Sequence, residues 1–66
     1  MNLFNELTQF GSVMQSTESE DHITFEIRLG RKTFFLAYYF TDSGWDYEIT
    51  DRFGSVVDNG IYLALY

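Results

Sequence analysis

From residue 22 to residue 50 the chain reads as three strands separated by two short turns. Ile23, Phe25, Ile27 and Leu29 alternate with His22, Thr24, Glu26 and Arg28, the period of two that marks a strand with one buried face. Gly30, Arg31 and Lys32 supply a turn. The run 33–41 that follows is almost continuously apolar and aromatic, as a central strand covered on both faces would be. Asp42, Ser43 and Gly44 then lead into 45–50, where Trp45, Tyr47 and Ile49 alternate with Asp46, Glu48 and Thr50. Connections this short join antiparallel neighbours.

The flanks complete the arrangement. Leu3, Phe4, Leu7, Phe10, Val13 and Met14 fall on one helical stripe, so the spacing predicts a helix over 2–16 with Asn2 as its N-cap and Gly11 weakening its middle. Gln15 to Asp21 reads as a polar, exposed connection. Past the third strand there are two turn signals, Asp51 to Gly54 and Asp58-Asn59-Gly60, the second containing the Asn-Gly pair of type I′ hairpins. Short strands are expected at 55–57 and 61–65, with a helical turn at 61–66 as the alternative reading of that apolar run. The fold class is therefore α+β: one N-terminal helix packed on a four- to five-stranded antiparallel meander sheet, in a single domain over 1–66.

A chain of 66 residues can bury only about 60% of the surface its unfolded form exposes. With no cysteine and one histidine it has no disulfide framework and no ordinary zinc set. Packing must supply the stability, and an aromatic content of 20% points to an aromatic-rich core. The formal charge of -6 opposes direct binding to nucleic acid and favours a basic protein partner. Residues 34–66 are the more acidic half, with Arg52 their only Lys or Arg. No signal peptide and no membrane span are recognisable, so a cytoplasmic location is expected.

Catalytic chemistry finds little support in these residues. His22 is the single candidate base and reads as a strand-edge histidine. Asp46 and Glu48 share a strand face at a spacing of ~6.8 Å, but nothing nearby suggests a pocket that would raise either pKa. Trp45 and Tyr47 interrupt the carboxylates of 42–48 where a calcium loop needs oxygen ligands. No enzyme activity, no cofactor and no metal are expected.

Parity along the strands sets Glu26 and Arg28 on the same side as Asp46 and Glu48, away from the helix, with either Phe35, Ala37 and Tyr39 or the alternate set between them. The expected binding residues are Asp46 and Glu48, a pair spaced like neighbouring phosphates. Glu26, Asp42, Asp51 and Asp58 would extend the row, and Glu18, Glu20 and Asp21 form an acidic segment beside it. Phe35, Tyr38, Tyr39, Tyr47, Tyr62 and Tyr66 exceed what one helix can cover, so some of these rings, Tyr39 among them, should reach a contact surface.

In its size, acidity, Phe and Tyr content, Asp46-Tyr47-Glu48 strand, acidic segment Glu18 to Asp21 and hairpin pattern, the chain resembles phage-encoded anti-CRISPR proteins. The resemblance is one of type and transfers no residue roles. It implies a non-enzymatic inhibitor that binds a CRISPR effector complex in the host cytoplasm and blocks its DNA-binding surface through an acidic, partly DNA-mimicking face. The alternatives are an acidic immunity protein or antitoxin that neutralises a basic nuclease, and a homodimeric interaction module.

Overall fold

The computed structural model describes residues 2–42 and 44–62, with Tyr62 described by its backbone alone. Helix α1 (Leu3–Phe10) is followed by β1 (Ser12–Glu18), β2 (His22–Leu29), β3 (Lys32–Thr41), β4 (Gly44–Asp51) and β5 (Val56–Tyr62). Every strand pairs antiparallel with the next, giving one open meander in the order β1-β2-β3-β4-β5. The expected α+β architecture, one helix on an antiparallel sheet, is the one observed.

The helix is half the expected length. Asn2 caps it, its side-chain oxygen accepting from the Asn5 N–H at 2.8 Å. The far end is set at Gly11, whose N–H reaches Leu7 O while its backbone turns extended at φ -73 and ψ 152. A Cβ at Gly11 would collide with Ile27 Cγ2 and stand 2.6 Å from Leu7 O, so the chain passes against the sheet there and leaves the helix. Residues 12–18, expected as the last helical turn and an exposed connection, instead form the edge strand β1 along β2. Ser12 pairs with Arg28, Val13 with Ile27, and Glu18 with Ile23. The physical reason is that β2 would otherwise present unpaired N–H and C=O groups, and a segment rich in Ser, Thr and Val holds a helix poorly. Met14 is the extra residue of a bulge between Val13 and Gln15.

A second correction concerns the C-terminal part. The Asn59-Gly60 pair is not a hairpin turn but lies inside one continuous strand, with Asn59 opposite Glu48 and Gly60 opposite Tyr47. The short strands expected at 55–57 and 61–65 are thus one element as far as Tyr62, and the rest of the second, 63–65, lies outside the described residues, as does Ser43 in the β3–β4 turn. At the β2–β3 hairpin Gly30 has φ 65 and Leu29 pairs with Lys32, so a glycine occupies the first of two central turn positions, as type II′ requires.

The core lies between α1 and the sheet. Leu7, Ile27, Leu36 and Ile49 are buried, and Leu3, Phe4, Phe25, Leu29, Phe34, Tyr38 and Tyr47 pack around them. Burying each aliphatic side chain contributes roughly 1.5–3 kcal/mol. Phe4 anchors the helix across the strands, with its ring 4.2 Å from that of Tyr47 and edge-on to Tyr38 at 6.3 Å. Phe10, Val13 and Met14, expected in the buried stripe, are exposed: Phe10 ends the helix, and Val13 and Met14 lie beyond it on the edge strand β1. An eight-residue helix is about 12 Å long, so it covers only part of one sheet face. The central strand is therefore covered on one side, not two.

Candidate protein-binding face

Register fixes which side chains share the uncovered face. One row across the sheet is His22, Tyr39, Asp46 and Ile61; the next is Thr17, Thr24, Ala37, Glu48 and Asn59; the third is Gln15, Glu26, Phe35 and Thr50. Antiparallel partners point to one side of the sheet. This settles the parity of the central strand in favour of Phe35, Ala37 and Tyr39, with Phe34, Leu36 and Tyr38 turned toward the helix. Phe35 is half-buried by its neighbours, Ala37 is buried at the middle of the face, and Tyr39 is 40% exposed.

Three of the sequence-predicted residues come together. Tyr39, Asp46 and Glu48 line one shallow depression of about 420 Å³, together with Tyr47, Asn59, Gly60 and Ile61. Glu26 lies on the same face, diagonal to Glu48 across β3. Arg28 stands one row beyond Glu26, where its Nε donates to Gly30 O at 3.3 Å rather than to a carboxylate. Among the described residues Asp21 has a hydrogen-bonding contact with His22, and no carboxylate is paired with Lys or Arg.

Glu18, Glu20, Asp21 and Asp42 form a rim at one end of the sheet. The first three belong to the end of β1 and the loop after it, and Asp42 to the β3–β4 turn. The Phe40 N–H donates to Asp21 O at 2.9 Å and ties the two connections together. His22 Nδ1 lies 3.1 Å from Asp21 Oδ1 and the imidazole stacks on Tyr39 at 5.7 Å. The hydrogen bond to His22 holds the Asp21 carboxyl below its ordinary range.

Asp51 and Asp58 do not extend the row. Asp58 pairs with Ile49 and therefore faces the helix side, near enough to Tyr47 that its charge adds to burial in pushing the phenol pKa up. Asp51 pairs with Phe34, and its Oδ1 accepts the N–H groups of Phe53 at 2.8 Å and Ser55 at 3.0 Å, holding the β4–β5 turn. Of the rings expected to be in excess, Tyr38 and Tyr47 pack under the helix, while the Tyr62 side chain and Tyr66 lie outside the described residues. The contributions of Asn59 and Ile61 escape the sequence reading because Asn59 reads as a turn residue and Ile61 as the start of a separate short strand. Alternation of Asn59 and Ile61 about Gly60 was the available signal.

No protein-family model, curated protein or solved structure matches this chain. Among the described residues no helix is long and apolar enough to cross a membrane, and no group of three or more His, Cys, Asp or Glu is placed to hold a metal ion.

Proposed function

We propose that this chain is a non-enzymatic inhibitor that lays its uncovered sheet face on a basic, nucleic-acid-binding surface of another protein, in the manner of an anti-CRISPR protein on an effector complex. The observation that carries this reading is the grouping of Asp46, Glu48 and Tyr39 around one depression, with neither carboxylate neutralised by Lys or Arg among the described residues. Carboxylates two residues apart on a strand are separated by ~6.8 Å, of the order of successive phosphates, so cations spaced for a nucleic acid strand meet a similar row. A partner Arg or Lys entering the depression gains both charges and the face of the Tyr39 ring. The acidic rim beyond His22 steers a basic partner toward that end.

A homodimer through this face is disfavoured by the same geometry. It would bring Glu26, Asp46 and Glu48 of two copies together with only one Arg28 from each to offset them. An immunity protein or antitoxin would use the same chemistry on a different target. Capture of partners from bacterial lysate at low and high salt, with duplex DNA as competitor, separates these readings. The inhibitor reading expects a nucleic-acid-binding protein retained at low salt and released by DNA, and identification of that protein as an effector complex or a nuclease toxin decides its class. Retention that is insensitive to both salt and DNA would overturn it.

A further inference from the structure

We infer that the end of the sheet opposite the acidic rim is a binding site for a nucleoside phosphate. All four Lys and Arg residues of this acidic chain collect there. Arg28 ends its strand row, Arg31 and Lys32 lie at the β2–β3 hairpin, and Arg52 lies in the β4–β5 turn. The two turns are neighbours in the meander, and between them opens a cleft of about 430 Å³ lined by Arg31, Lys32 and Arg52 together with Phe34, Phe53 and Val57. That volume lies within the range of small-ligand sites, about 300–1,000 Å³.

The lining has two chemical halves. Three cations drawn from two neighbouring turns suit a compact group of two or more negative charges. Phe53 is 78% exposed and Val57 46% exposed, an apolar wall with no element over it. The Arg52 guanidinium stands over one face of the Phe53 ring, 4.9 Å from its centroid, so cation and ring are held together at the cleft and the opposite ring face is the one a base would use. A flat base stacked on Phe53 sets its phosphates toward Arg31, Lys32 and Arg52. The Asp51 carboxylate also lines the cleft, its Oδ1 accepting from the turn N–H groups of Phe53 and Ser55, and its single charge stands against the three cations of Arg31, Lys32 and Arg52. A ligand bearing phosphate without a ring, or a ring without phosphate, would use only one half.

The test is calorimetric titration of the whole chain with ADP, with pyrophosphate and adenosine as the separate arms. ADP is expected to bind at least tenfold more tightly than either. Arg31→Gln with Lys32→Gln should weaken ADP at least tenfold, and Phe53→Ala should weaken ADP but not pyrophosphate; these side chains are exposed, so both variants should fold. Arg52→Gln provides an independent loss of charge. Absence of ADP binding, equal binding of pyrophosphate and ADP, or binding unchanged by these substitutions would overturn the site. Asp46 and Glu48 line the other depression, which shares no residue with this cleft, so their reversal should leave ADP binding intact, and the two functions fail separately.

Discussion

The ring of Tyr47 lies so close over Gly60 that a Cβ added to the glycine would stand 2.8 Å from Tyr47 Cε2 and 2.9 Å from Cζ and Oη. The Phe4 ring packs against the same tyrosine at 4.2 Å and a tilt of 32°, so helix, central sheet and β5 meet through one ring. Gly60→Val must displace that ring and is expected to cost about 1–3 kcal/mol, as overpacking does. Chemical denaturation should show a lower midpoint with an unchanged slope.

Gly11→Ala gives opposite signs for the two possible paths of the chain. In the interior of a helix over 2–16 the substitution would stabilise by about 1 kcal/mol. In the observed structure the new methyl meets Ile27 and Leu7 O, and a loss of about 1–3 kcal/mol is expected. The direction of the thermal shift decides between them.

Ile49 has no exposed surface and sits on β4 among Leu7, Ile27 and Leu36. Ile49→Ala should therefore cost about 2–5 kcal/mol through lost burial and the cavity left behind. Phe53→Ala, at an exposed turn, should change stability by about 0.5 kcal/mol or less. Equal losses at both positions would contradict this location of the core.

Tyr47 makes stability fall at alkaline pH. Burial and then the Asp58 charge raise its phenol pKa above the ordinary 10.0. The folded state therefore holds the proton where the unfolded state has released it. The contribution is fully present below pH 10.0 and is lost as pH rises through the folded pKa. Thermal melts across this range should show the decline in the native chain and a shallower one in Tyr47→Phe, which retains the ring without the ionisable group.

The strands at 22–29, 33–41 and 45–50 were legible because each carries its own period or apolar run, bounded by glycine-containing turns. The sharing of one face by Glu26, Asp46 and Glu48 followed from that parity alone. What misled was local chemistry overridden by distant contacts. The 3.6-residue spacing of Val13 and Met14 continued past Gly11, although pairing with Arg28 and Ile27 draws the chain into a strand. The Asn59-Gly60 pair carried a turn signature, but there the glycine makes room for Tyr47. Asp51 continues the Trp45, Tyr47, Ile49 alternation and so belongs to the helix side, which its charge obscures, while the side of Asp58 is hidden by the turn signature of Asp58 to Gly60 inside what is a continuous strand.

The most direct measurement is the affinity of the folded Asp46→Lys, Glu48→Lys variant for the captured basic partner, titrated across salt beside the unaltered chain and checked by circular dichroism. Loss of at least tenfold in affinity at low salt, with a flatter salt dependence and no competition by DNA, is the expected result. Undiminished binding by the folded variant, with the original salt slope, would contradict an interface built on these two carboxylates.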